Sequence, residues 1–147
     1  MADLFKGAEL KRKDGSTTPA AQLKGKVVAL YFSAHWCPPC RLFTPELAKF
    51  YAELNKDNNE FEIVFVSFDQ SDDQAISYIK EAHGNWLYLL PNANESIVSE
   101  LTSRYGVDGI PVLIVVREDG TVITKEGRSD VSSQPARVVL SQWKQKL

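Results

Sequence analysis

Two cysteines, Cys37 and Cys40, lie in the run Trp36-Cys37-Pro38-Pro39-Cys40-Arg41, and the 147-residue chain holds no others. A dithiol of this spacing does redox chemistry in one of few ways. The apolar run Val27 to Phe32 precedes it and a helical pattern, Leu42 to Leu54, follows. The pair therefore sits where a strand hands over to a helix. The first backbone N–H groups of a helix have no intrahelical partner, and their partial positive charge favours a thiolate. Helix N-termini and Cys-x-x-Cys settings lower a cysteine pKa from ~8.5 to roughly 3.5–7.5. Cys37 takes the exposed, early position and Cys40 the shielded one a turn later. That asymmetry suits an attacking and a resolving thiol. Pro38 and Pro39 lose no N–H bond in a first turn and already carry helical φ, so they stiffen the ring that closes when the sulfurs join.

Three other uses fit less well. A structural disulfide over so short a loop constrains the unfolded chain little. A structural zinc site takes four ligands, and only His35 and His83 accompany the pair. Haem attachment needs His directly after the second cysteine, where this chain has Arg41. A redox-active dithiol, with neither metal nor cofactor, is the reading that remains.

Elements must hold this dithiol in place. Glu9 to Lys13, Asp14-Gly15 and Ser16 to Thr18 predict an N-terminal hairpin, because Asp-Gly is a strong tight-turn signal. Val27 to Ser33 reads as a strand covered on both faces. The helix after the dithiol is expected to reach Leu54, with a kink at Pro45. Glu62 to Phe68 predicts a second buried strand. Ser71 then starts a helix from Gln74 to Ala82, closed by Gly84. Trp86 to Leu90 is a short strand or buried loop. Asn94 is the expected cap of a helix through Ile97, Val98, Leu101 and Tyr105. Val112 to Val116 and Thr121 to Lys125 predict strands about the turn at Glu118-Asp119-Gly120. Gly127 breaks the second of them, and Ser133-Gln134-Pro135 opens a last helix. Strands alternating with helices imply an α/β sandwich.

Composition agrees with one domain over residues 1–147: hydrophobic content is 44% and charged content 24%. A net charge of −2 makes no electrostatic case for nucleic acid or an anionic membrane. The start, Met1 to Gly7, has no apolar leader segment. A reducing compartment, cytoplasmic or nuclear, is expected, where such a pair is more often catalytic than structural. The protein is expected to be a monomer.

Trp36-Cys37-Pro38-Pro39-Cys40, Pro45, and Gly109-Ile110-Pro111 ahead of a strand together resemble the thioredoxin superfamily; Gly120 and Gly127 fall where it also has glycines. Tyr31 to Arg41, Val64 to Asp69, Asn85-Trp86-Leu87 and Tyr105 to Pro111 resemble its tryparedoxin and nucleoredoxin branch, over residues 4–131. The resemblance implies a thioredoxin-like three-layer α/β/α sandwich with a central mixed sheet and an N-terminal β-hairpin extension. It implies a thiol–disulfide oxidoreductase that reduces protein disulfides, including those of peroxiredoxin-type proteins. Electrons would come from a reductase, glutathione or a trypanothione-like dithiol. Cys37 would attack and Cys40 would resolve. Pro111 would be cis and face the dithiol, although the residues alone fit an ordinary trans turn equally well. Ile110 would pair its backbone with an extended substrate. Trp36 would shield one side, with Pro38 and Pro39 beside it. Two departures stand out. Thioredoxins carry a buried carboxylate where this chain has Tyr31. Tryparedoxins tend to carry Trp-Asp-Glu where it has Phe68-Asp69-Gln70. Asp69 is then the remaining carboxylate for proton transfer near the site, and His35 a candidate for tuning Cys37. The apolar residues around the dithiol equally fit a redox-switched adaptor that binds a partner protein.

Overall fold

The computed structural model describes Met1 and residues 3–147. Its core is a seven-stranded mixed sheet in the order β2-β1-β5-β4-β3-β6-β7. β1 (Glu9–Arg12) and β2 (Thr17–Pro19) form the expected hairpin. It extends the sheet by pairing Lys11 with Tyr88 and Arg12 with Leu87 of β5 (Leu87–Leu89). β3 (Val27–Ser33) lies between the parallel β4 (Phe61–Ser67) and the antiparallel β6 (Val112–Val116). β7 (Val122–Thr124) closes the far edge. Every residue of β3 and β4 is buried, as their near-continuous apolar runs require.

The two-residue period of β3 divides the protein into layers. Val27, Ala29 and Tyr31 face a core shared with α1 (Pro38–Leu54), α2 (Asp72–Ala82), α4 (Gly127–Ser133) and α5 (Ala136–Lys144). Val28, Leu30 and Phe32 face a second core, closed by α3 (Glu95–Arg104), a 3-10 turn at Ala20–Leu23, and Leu4 and Phe5. The result is the expected three-layer α/β/α sandwich. α1 continues through Pro45, which has no N–H to donate to the Arg41 carbonyl.

Three local expectations need correction. α2 does end near Gly84, but its C-cap is His83 in an extended conformation, and Gly84 is not left-handed. Gly84 is small for another reason: a Cβ there would lie 2.8 Å from Cε3 of the buried Trp86 ring. Asn94 precedes α3 without capping it; its Oδ1 accepts the Leu90 N–H at 2.9 Å and holds the preceding turn. Gly127 opens a helix, α4, that the sequence reading lacked. A side chain at Gly127 would meet the Leu113 carbonyl at 2.7 Å, so glycine lets α4 lie directly on β6.

Candidate active site

The dithiol sits at the C-terminal edge of β3, at the mouth of α1. Cys37 is the N-cap of that helix, and its sulfur accepts the Cys40 N–H at 3.4 Å. Pro38 and Pro39 are the first two helical residues, as the first turn of a helix prefers. Both thiols are free. Cys37 is 4% exposed and Cys40 is fully buried. The order of exposure matches expectation, but Cys37 is more enclosed than its place in the motif predicts. The cause is the loop ahead of β6. The Ile110–Pro111 peptide bond is cis, and the Cys37 sulfur donates to the Ile110 carbonyl at 3.9 Å. Ala34, Phe68 and Ile110 complete a small apolar cluster around the two sulfurs.

The rim of the site is apolar and open. Trp36 is 55% exposed, held by its indole N–H donating to the Phe68 carbonyl at 3.0 Å. Leu42, two residues beyond Cys40 and on another face of α1, is 80% exposed. Beside Trp36 lies a hollow of about 200 Å³ lined by His35, Arg41, Gln70 and Gln74.

Asp69 and His35 come close to the motif through other partners. The Asp69 carboxylate is buried; it accepts the backbone N–H of His35 and the hydroxyl of Ser67, each at 2.8 Å. The His35 ring turns toward α2, stacked on Tyr78 with centroids 5.4 Å apart, and its Nε2 contacts Glu81 at 2.7 Å.

A cluster of buried hydroxyls behind Cys40 was not anticipated. Thr44 Oγ1 donates to the Cys40 carbonyl at 2.8 Å. Tyr31 shares a hydrogen bond of 2.7 Å with Thr44. Tyr78 bonds both Thr44 and, at 2.7 Å, Ser33. Part of this was readable. Ser33 lies two residues from Tyr31 on one face of a strand, and Thr44 lies four residues from Cys40 on one helix face. Tyr78, from a separate helix, carried no local signal. Burial, with a further contribution from the bond to Cys37, pushes the Cys40 thiol up to about 12. The Ser33 hydroxyl acts in the opposite sense by hydrogen bonding.

The arrangement is a thiol pair at a helix N-terminus, with Cys37 beside the exposed Trp36 and Cys40 buried beneath it. Among the described residues, no three His, Cys, Asp or Glu side chains gather as a metal site would require.

A family model described as thioredoxin-like matches residues 25–122. Nucleoredoxin of Danio rerio is 40% identical over 126 residues, 86% of this chain but 29% of that protein. The chain thus spans less than a third of the nucleoredoxin it matches. Among solved structures, thioredoxin from Wuchereria bancrofti is 48% identical, with a TM-score of 0.79 over 96% of both chains. A tryparedoxin II complexed with glutathionylspermidine is 33% identical, with a TM-score of 0.80 over 90% of this chain and 91% of that one.

Proposed function

The chain belongs to the thioredoxin-like family of thiol–disulfide oxidoreductases, in its nucleoredoxin and tryparedoxin branch, and on that premise we propose that it reduces disulfides in proteins with Cys37 as nucleophile and Cys40 as resolving thiol. The observation that carries this reading is the position of Cys37 as N-cap of α1, with its sulfur accepting the Cys40 N–H at 3.4 Å. A sulfur that accepts a helix N-terminal N–H has its negative charge stabilised where it must attack.

The reaction runs in two displacements. The Cys37 thiolate attacks one sulfur of a substrate disulfide; the substrate S–S bond breaks and its other sulfur leaves as a thiolate. Cys40, as thiolate, then attacks the Cys37 sulfur. The mixed disulfide breaks, the second substrate sulfur leaves, and the Cys37–Cys40 disulfide forms. The substrate gains two electrons and the protein loses them. A thiol donor restores the dithiol: a reductase, glutathione or a glutathione-based dithiol. The structural relative complexed with glutathionylspermidine supports a glutathione-based thiol as donor. Ile110 offers its backbone to an extended substrate segment, Pro111 closes the floor beside it, and Trp36, Pro38 and Pro39 cover the flank. The protein works in the cytoplasm, with peroxiredoxin-type proteins among its substrates.

The test is insulin disulfide reduction with single variants. Cys37→Ser abolishes turnover, and Cys40→Ser accumulates mixed disulfides. Wild-type turnover by Cys37→Ser overturns the assignment. A second reading, a redox-switched adaptor, is favoured by the exposure of Trp36 and Leu42. It predicts partner capture that differs between oxidised and reduced protein.

A further inference from the structure

The backbone of Cys40 is held at its two ends by unlike partners. Its N–H goes to the Cys37 sulfur at 3.4 Å. That sulfur is the atom Cys40 must attack, and it carries the substrate in the mixed disulfide. The Cys40 carbonyl goes to fixed groups instead: the Thr44 hydroxyl donates to it at 2.8 Å, and the Tyr31 hydroxyl lies 3.4 Å from it. Thr44 and Tyr31 are both fully buried. The helix around them is short of backbone donors. Pro38, Pro39 and Pro45 all lie in α1, and proline has no N–H. The Arg41 carbonyl, next along from that of Cys40, faces Pro45 four residues on and so lacks its helical donor. A Thr hydroxyl bonded back to the carbonyl four residues earlier is common in helices and weak by itself. Thr44 has support that an ordinary back-bonded threonine lacks.

A hydroxyl has one proton to donate and two lone pairs, and Thr44 uses all of them. Its proton goes to the Cys40 carbonyl. Its lone pairs face the Tyr31 hydroxyl, at 2.7 Å, and the Tyr78 hydroxyl, so both phenols donate to Thr44. Tyr78 in turn accepts the Ser33 hydroxyl at 2.7 Å. The oxygen that holds the Cys40 carbonyl is thus braced from β3 by Tyr31 and from α2 by Tyr78. A donor that itself accepts hydrogen bonds is polarised and donates more strongly. We propose that Thr44 is a positioning residue for the resolving step: its hydroxyl, braced by Tyr31 and Tyr78, keeps the Cys40 backbone in place while the Cys37 sulfur is joined to substrate. The inference rests on Cys40 being the resolving thiol.

The step served is a thiol–disulfide exchange. Cys40 loses its proton to water and its sulfur bonds to the Cys37 sulfur. The bond from Cys37 to the substrate sulfur breaks, and the substrate leaves with that electron pair as a thiolate, which takes a proton from water. Thr44 neither gives nor receives a proton in this exchange; its bond to the carbonyl stays as it is. Its effect is on geometry. A sulfur held in line with the bond it breaks acts at a high effective concentration, and a small misplacement lowers that concentration steeply.

The experiment equilibrates the full chain with glutathione and glutathione disulfide, quenches with acid, and measures by mass the dithiol, the Cys37–glutathione mixed disulfide and the Cys37–Cys40 disulfide. The ratio of internal to mixed disulfide, times the glutathione concentration, is the effective concentration of Cys40. The ratio of mixed disulfide to dithiol reports Cys37 alone. Thr44→Val keeps the shape and loses the hydroxyl; Thr44→Ser keeps the hydroxyl. The effective concentration is expected to fall about tenfold in Thr44→Val and to stay within about twofold of wild type in Thr44→Ser. The Cys37–glutathione equilibrium is expected to be the same in every protein. An unchanged effective concentration in folded Thr44→Val overturns the proposal. So does an equal fall in Thr44→Ser, which assigns the effect to the packing of the methyl group. If Thr44→Val fails to fold, Tyr31→Phe decides: it removes one brace and is expected to lower the effective concentration about threefold, and no change overturns the proposal. A chain that forms no Cys37–glutathione disulfide contradicts the proposed function itself, so the two failures read differently.

Discussion

The Asp69 carboxylate accepts the backbone N–H of His35 at 2.8 Å, and this bond ties the end of β4 to the loop that presents Cys37. Its other oxygen takes the Ser67 hydroxyl, also at 2.8 Å. Both bonds are inside the protein. The residue therefore sets the position of the motif from behind.

Asp69→Ala leaves the His35 N–H and the Ser67 hydroxyl without their acceptor. An unmet buried donor costs about 1–3 kcal/mol, so urea unfolding is expected at a lower midpoint by that amount. Asp69→Asn, which keeps one acceptor oxygen, is expected to lose less. Neither change moves the pH profile of Cys40 alkylation. A moved profile with unchanged stability makes Asp69 a proton acceptor instead.

Trp36 links the rim to the same loop through the Phe68 carbonyl. Trp36→Ala removes a large apolar contact for a protein substrate. A central aromatic contact of this kind is worth about 2 kcal/mol or more. The variant is expected to raise KM for a protein disulfide at least about tenfold, while a small-molecule disulfide is reduced nearly as before. Equal losses on both substrates place Trp36 in the chemistry instead.

His83 is buried among Phe65, Tyr78 and Trp86. Burial, and then the charge on Lys13, push its imidazole down to about 3. The folded protein thus holds it neutral while the unfolded chain protonates it below ~6.5. Its contribution is fully present above that pH and is lost as pH falls toward 3. The carboxylates of Asp14, Glu60 and Asp119 are held below their usual range by hydrogen bonds, and their effects appear only at lower pH. Between pH 6.5 and about 4.5, stability is expected to fall by up to about 1.4 kcal/mol per unit. His83→Gln flattens that slope. An unchanged slope in the variant assigns the loss elsewhere.

At the other end of the sheet, Arg12 of the hairpin reaches the buried Glu62 at 2.8 Å, and Tyr51 donates to the same carboxylate at 2.9 Å. Glu62→Ala leaves a half-buried guanidinium unpaired, with an expected cost of about 3–5 kcal/mol. Replacing both partners, Arg12→Met with Glu62→Leu, recovers most of it. Thermal unfolding of the single and double variants checks this. Equal destabilisation in both shows that the pair itself, not the orphaned charge, is what matters.

The dithiol, the strand and helix that bracket it, and the hairpin were legible because each is a local pattern: a motif, an apolar run, an Asp-Gly turn. The cis peptide before Pro111 followed from resemblance alone. α4 has no signature in the sequence because a glycine at 127 has the look of a breaker, whereas its lack of a side chain is what lets a short helix rest on Leu113. Asn94 carries the residue type of a cap, yet it bonds the Leu90 N–H instead. The hydroxyl cluster draws Tyr31 and Ser33 from β3, Thr44 from α1 and Tyr78 from α2. The spacing of Tyr31 and Ser33, and of Cys40 and Thr44, is local, but Tyr78 carries no signal until the fold brings it to them.

If the Cys37–Cys40 pair reduces disulfides, its reduction potential must lie in the reducing range. The protein is equilibrated in glutathione buffers and the oxidised fraction read from Trp36 fluorescence. A potential of roughly −200 to −270 mV, the range of thiol reductants, is expected. A value near roughly −120 mV, that of a strong oxidant, contradicts it.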